Sequence, residues 1–216
     1  MRGNSTLILF AKKAQICRVK TRMWPNLSYR ESLYLHKALT ADAIKKFSAN
    51  SKFKLILYTT DTKTIHYCKS RGLIIKRQYG LDLGSRMIHA ISQELKYSQK
   101  VVLIGSDCPT LNVDYIKNAF MHLSKNNDVV LGPTTDGGYV LIGMKKKNDY
   151  LFKNITWGSS NVFNQTLKVA ANYRCNIKSL EKVSDIDTAE DLHEFNIKRI
   201  YLHGQTTQLL KNRLAN

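Results

Sequence analysis

Between Lys12 and Arg22 the chain places five cations in eleven residues: Lys12, Lys13, Arg18, Lys20 and Arg22. They directly follow the apolar run Leu7 to Ala11. At the end of a strand such a cluster neutralises a di- or triphosphate, arginine acting as a planar fork and lysine as a point charge. A solvated basic loop would read the same way. The segment is neither a Walker A nor a dinucleotide loop, since G-x-x-x-x-G-K and G-x-G-x-x-G are both absent.

Three acidic positions could work with those cations. Asp107 ends the run Val102-Leu103-Ile104-Gly105-Ser106, freed by Gly105 and stiffened by Pro109. A carboxylate there is placed to hold a hard divalent cation against phosphate oxygens, or to form an Asx turn or cap the next helix. Asp136 precedes Gly137, Gly138 and Tyr139, a sequence that lets backbone approach a ligand closely and that equally spells a hairpin turn. Residues 185–191 pack four acids into seven positions. Asp187 to Glu190 spells a helix-capping box, while Asp185-x-Asp187 suits a second metal ligand.

The elements that must carry these residues alternate. Runs at Thr6–Ala11, Phe53–Thr59, Leu73–Tyr79, Lys100–Gly105, Asp128–Leu131, Tyr139–Met144 and Asn176–Leu180 predict strands. Leu35, Leu39, Ala43 and Phe47 predict an amphipathic helix over 28–47; others are expected over 83–96, over 113–124 and around Val162, Leu167 and Ala170. This order predicts an α/β fold: a mostly parallel sheet with helices on both faces. Too few residues separate 128–131 from 139–144 for a parallel crossover, so the sheet becomes mixed there. One domain is expected over 1–195, with a basic tail over 196–216. In such a sheet the ligand lies outside the carboxyl ends of the strands, where the motifs above fall.

Composition narrows the partners. The net charge of +18 is concentrated in residues 1–80, which hold 17 Lys and Arg against Glu31, Asp42 and Asp61. That excess suits phosphate, in a nucleotide or along a nucleic acid. Lysines outside the motifs, such as Lys45, Lys46 and Lys63, are expected to solvate helix faces and to be dispensable for binding. Cys17, Cys68, Cys108 and Cys175 have neither zinc nor disulfide spacing and are expected as small buried hydrophobes. No apolar run approaches the ~20 residues of a membrane span. The N-terminus lacks a signal-peptide core, which predicts a cytoplasmic protein.

Six motifs occur in one order over residues 6–192. They are Phe10-Ala11 with Arg18-Val19-Lys20-Thr21-Arg22; Gln78-x-Gly80-x-Asp82-Leu83-Gly84-x-Arg86-Met87; Gly105-Ser106-Asp107-Cys108-Pro109; Gly132-Pro133-x-x-Asp136-Gly137-Gly138-Tyr139; Trp157; and Asp185-Ile186-Asp187-Thr188 with Glu190-Asp191-Leu192. In this the chain resembles the DUF2064 family of glycosyltransferase-A-like proteins, similar in fold to nucleotide-diphospho-sugar transferases and nucleotidyltransferases. The resemblance implies a single Rossmann-like glycosyltransferase-A domain and a transferase using a nucleotide-diphosphate sugar and a small-molecule acceptor. It further implies that Arg18, Lys20 and Arg22 bind phosphate, that Gln78, Gly84 and Arg86 lie near the nucleoside, and that Asp107 and Asp187 bind Mg2+ or Mn2+. Asp136 would then act on an acceptor held by Gly137, Gly138, Tyr139 and Trp157, with Asp107 also catalytic through the metal. Three departures stand out: Ile16 and Cys17 replace a Pro-Gly pair, Gly158-Ser159 replace Ser-Thr, and Ala189 replaces a proline.

The expected chemistry is therefore metal-assisted sugar transfer. The alternative is a nucleotidyltransferase that joins an NTP to a phosphorylated small molecule and releases pyrophosphate, although the Gly-rich opening of most such enzymes is absent. A third reading, a basic nucleic-acid binder, lacks any recognisable signature and has carboxylates interrupting its charged loops.

Overall fold

Runs of Leu, Ile and Val with no polar face can be satisfied only by a sheet covered on both sides. The computed structural model describes residues 5–24, 26–60 and 72–197, with side chains to residue 193 in the last helix. The strands are β1 (Ser5–Ala11), β2 (Lys54–Thr59), β3 (Ile74–Arg77), β4 (Lys100–Gly105), β5 (Val129–Pro133), β6 (Tyr139–Met144) and β7 (Ile177–Ser179). They form one sheet in the order β3-β2-β1-β4-β6-β5-β7. Only β6 runs against its neighbours β4 and β5, so the expected change from parallel to mixed falls where the short 134–138 connection requires it. Lys63, Cys68 and the tail from residue 198 lie outside the described residues.

Helices α1 (Tyr29–Ser48) and α3 (Val113–Ser124) cover one face, burying Ile44, Phe47, Ile116 and Phe120. Helices α2 (Leu83–Glu94) and α4 (Val162–Asn172) cover the other through Met87, Ile91 and Ala170. The last helix, α5, spans Ala189–Ile197. Helix α1 opens on a capping box in which Ser28 and Glu31 satisfy each other's backbone donors. Its long apolar stripe divides: Phe47 joins the sheet core, whereas Leu35 and Leu39 join Met23, Leu27, Ile186 and Leu192 in a separate small core. No helix among the described residues is long and apolar enough to cross a membrane.

The chain turns one way from β1 to β2 and the other way to β4, which opens a crevice at the carboxyl ends of β1 and β4. Every motif of the sequence lies around it.

Candidate functional site

A cavity of about 690 Å³ fills that crevice. Lys12, Arg18, Lys20, Arg22, Gln78, Arg86, Asp107, Asp136, Tyr139, Trp157, Asp185 and Asp187 all line it. The loop after β1 supplies its first wall. Two of its residues adopt left-handed backbone, Cys17 at φ 61° and Lys20 at φ 50°. Cys17 stands where the resemblance implies glycine, and it keeps the conformation that glycine would favour. It is exposed, so the expectation of a buried thiol fails there; Cys108 is buried.

Lys20 is the centre of this wall. Its side chain is 2 % exposed, and its ammonium donates to Asp107 Oδ2 at 3.2 Å, to Asp187 Oδ1 at 3.4 Å and to the Ile186 carbonyl. Burial alone would lower its pKa, but the two carboxylates overcome that and raise it. Burial likewise opposes the charge of Asp107, and the Lys20 ammonium wins, holding the carboxyl below its usual range. Arg22 donates to Asp187 Oδ2 at 3.0 Å and to the Gly158 carbonyl at 3.1 Å, tying the first wall to the second. Arg18 is exposed beside them and its guanidinium has no partner among the described residues.

Both structural alternatives for Asp107 and Asp187 give way. Helix α3 is capped by Asn112, whose side chain accepts from the Tyr115 amide, and not by Asp107. The capping box before α5 is formed by Thr188 and Asp191, one residue later than the sequence suggests. That shift leaves the Asp187 carboxylate free to face the cavity. The 183–187 segment is stitched beside the 107–110 loop, with the Ile186 amide on the Asp107 carbonyl and Cys108 Sγ on the Ser184 carbonyl. Asp185 joins them, its pKa pushed up to about 6 by burial and by the facing Asp136. Buried His36, whose Nε2 meets the Lys12 carbonyl at 3.1 Å, is a lining group that sequence reasoning left without a role, and Asp185 entered that reasoning only as the companion of Asp187. His36 carried no motif signal; Asp185 did, in Asp185-x-Asp187.

The second wall is made by contact, not charge. Trp157 lies so close over Gly84 that a Cβ there would meet the indole at 2.6 Å. Gly137, at φ 88°, passes under the Ser160 carbonyl, which a Cβ would meet at 1.9 Å. Trp157 also packs edge-on to Tyr139 and against Phe152. Asp136 is held by Thr134 Oγ1 at 2.5 Å and the Gly138 amide at 3.0 Å, both on Oδ1. The hairpin-turn reading is thus correct for one oxygen, while Oδ2 has no donor among the described residues. Gln78 uses its amide nitrogen on the Ala11 and Tyr58 carbonyls, closing the ends of β1 and β2, and Arg86 donates from Nε to the Gly80 carbonyl.

Five cations and five carboxylates line the cavity, so the +18 of the chain is not expressed there. Lys46, expected only to solvate a helix face, donates instead to the Pro109 and Leu111 carbonyls at 2.7 Å each and steadies the loop after Asp107. Among the described residues no three His, Cys, Asp or Glu side chains form a metal cage. Asp107 and Asp187, which converge on one ammonium at 3.2 and 3.4 Å, are the pair that could hold a divalent ion, since such ions are commonly held by one or two carboxylates and completed by substrate phosphates.

Comparison with known proteins bears on this arrangement. Residues 43–159 match the family described as "Uncharacterized protein conserved in bacteria (DUF2064)". A 2-phospho-L-lactate guanylyltransferase of Methanocaldococcus vulcanius is 27 % identical over 212 residues, covering 93 % of this chain and 87 % of its own. That of Methanocaldococcus jannaschii is 27 % identical over 192 residues, 88 % and 80 % of the two chains. Among solved structures, a presumed nucleotide-diphospho-sugar transferase from Desulfovibrio desulfuricans G20 superposes with a TM-score of 0.86 at 25 % identity, over 99 % and 96 % of the chains. A cytidylyltransferase from Leptospira borgpetersenii shares the fold at a TM-score of 0.58 and 10 % identity, over 97 % and 93 %.

Proposed function

This chain belongs to the DUF2064 family, and from that premise we propose that it is a transferase acting on nucleotides, specifically a nucleotidyltransferase. The observation that carries the reading is the meeting of the 12–22 cations with Asp107 and Asp187 in one crevice at the ends of β1 and β4. The extended likeness to guanylyltransferases supports it over sugar transfer.

In the proposed reaction an acceptor oxygen attacks the α-phosphorus of an NTP, the bond to the bridging oxygen breaks, and pyrophosphate leaves. The acceptor's proton, where it carries one, passes to a carboxylate or to water. Arg18 would take the phosphate charge, since its guanidinium has no partner among the described residues, with Arg22 beside it. Gln78 and Arg86 would border the nucleoside, whereas Gly84, buried under Trp157 and not among the cavity-lining residues, shapes that wall from behind. Asp136, anchored through Oδ1, would present Oδ2 to an acceptor lying against Gly138, Tyr139 and Trp157, while Gly137, packed under the Ser160 carbonyl and outside the cavity lining, only sets the turn. Asp107 and Asp187 would hold Mg2+ or Mn2+, which when bound supplies charge neutralisation for the leaving pyrophosphate.

A second reading, transfer of a sugar from a nucleotide-diphosphate sugar, is favoured by the likeness to the Desulfovibrio protein. Thermal-shift titrations with Mn2+ separate the two, because a ligand that binds only the folded chain at a hundred times its Kd adds about 2.7 kcal/mol. Stabilisation by one NTP above all nucleotide sugars supports nucleotidyl transfer, and pyrophosphate release on adding acceptors completes the assignment. Stabilisation by nucleotide sugars alone overturns it. Tight oligonucleotide binding at physiological salt with no nucleotide affinity would remove both readings.

A further inference from the structure

We propose that Lys20 is an internal cation holding the seat between Asp107 and Asp187, so that a divalent metal enters the crevice only together with a nucleotide. The inference rests on the reading of those two carboxylates as metal ligands.

An ammonium has three hydrogens and no acceptor. Lys20 points all three at protein oxygens: Asp107 Oδ2, Asp187 Oδ1 and the Ile186 carbonyl. No donor remains for phosphate, so in the nucleotide-free chain Lys20 is not the phosphate ligand that its place in the basic loop suggests. The two carboxylates are only partly enclosed, at 44 % and 34 % exposure, and line the cavity beside the buried ammonium. Asp187 spends its second oxygen on Arg22. At the seat itself two negative charges are thus already met by two positive ones, with the half-buried Asp185 beside them. A bare divalent ion entering this seat gains little net attraction, whereas one accompanied by a polyphosphate brings its own counter-charge and competes for the Lys20 hydrogens.

The backbone supports the assignment. Lys20 adopts φ 50° and ψ 41°, a left-handed conformation that is unfavourable for a residue with a Cβ. Val19 and Met23 on either side are buried, and the Met23 amide closes the turn on the Lys20 carbonyl at 3.1 Å. The chain therefore aims this side chain inward by construction. A lysine meant only for solvent-side phosphate would need neither the burial nor the turn.

Mn2+ binding to the nucleotide-free protein, read by electron paramagnetic resonance, tests the idea in the unaltered chain, in Lys20→Met and in Lys20→Gln. The glutamine variant retains a donor for the Ile186 carbonyl and serves if the methionine variant does not fold. Loss of one charge-assisted partner should tighten Mn2+ binding about tenfold. The gain should disappear when Asp107→Asn is added, and a non-hydrolysable triphosphate should largely close the gap between variant and wild type. Mn2+ binding that is unchanged or weaker in both Lys20 variants overturns the proposal. If nucleotide affinity of the unaltered chain still depends on Mn2+ in that case, the metal reading survives alone; if it is equal in EDTA, both fall.

Discussion

The two walls of the crevice are built by different physics. The wall made by residues 12–22, 105–110 and 183–187 is fastened by ion pairs around Lys20 and Arg22, whereas the wall made by 80–86, 136–139 and 157–162 is fastened by close contact at Gly84 and Gly137. Charges can exchange partners when a ligand arrives; interlocked atoms cannot. On the proposed function, the first wall would respond to a nucleotide and the second would give it a fixed surface.

If contact alone shapes the second wall, Gly137→Ala should be the most damaging single change. It adds a Cβ both at positive φ and into the Ser160 carbonyl, and should cost about 3 kcal/mol or more in a urea titration. Gly84→Ala should cost roughly 1–3 kcal/mol for the same kind of crowding. On a Trp157→Leu background its cost should fall by more than half; equal costs in the two backgrounds would mean that the indole contact is not what constrains Gly84.

The first wall should show the reverse pattern, with function separable from stability. Arg18→Ala should leave the urea midpoint nearly unchanged and weaken triphosphate binding about tenfold, as loss of a charge-assisted bond requires. Lys46→Ala should instead lower stability, through the loop after Asp107. A smaller effect concerns pH. Burial depresses the His36 pKa below 6.5, with Lys12, Lys20 and Asp107 facing the ring. The unfolded chain then binds the extra proton first, so this contribution is complete above about pH 6.5 and is lost as pH falls. Urea midpoints should decline on acidification less steeply in His36→Gln than in the unaltered chain.

Much of the fold was legible because its strands and helices announce themselves by period, and the mixed sheet followed from one short connection. The site was legible in its membership: Lys20, Arg22, Asp107 and Asp187 meet as their positions after β1, β4 and β7 suggest. What escaped was how they divide their bonds. Nothing local marks Lys20 as buried, since its enclosure depends on Ile186, far along the chain. The capping box was misplaced by one residue because Asp187-Glu190 and Thr188-Asp191 have the same spacing, and the reciprocal bonds form on the second pair. Gly84 and Trp157 carry no sign of each other in sequence. The +18 charge misled about the crevice, where cation and carboxylate are balanced, because composition does not say which face a side chain takes.

The small core of Met23, Leu27, Leu35, Leu39, Ile186 and Leu192 has a consequence for the order of events in the life of the molecule. It joins the beginning of the chain to its far end, and such long-range closure carries an entropic penalty that is offset only after the intervening strands have assembled. Six side chains are few to hold it. The charged wall should therefore be a late-forming unit that opens on its own, below the free energy of global unfolding, and native-state hydrogen exchange should find the amides of 183–192 released together while β1 and β4 stay protected. A nucleotide that bridges the two segments would slow that release, acting on this wall as a clasp as well as a substrate.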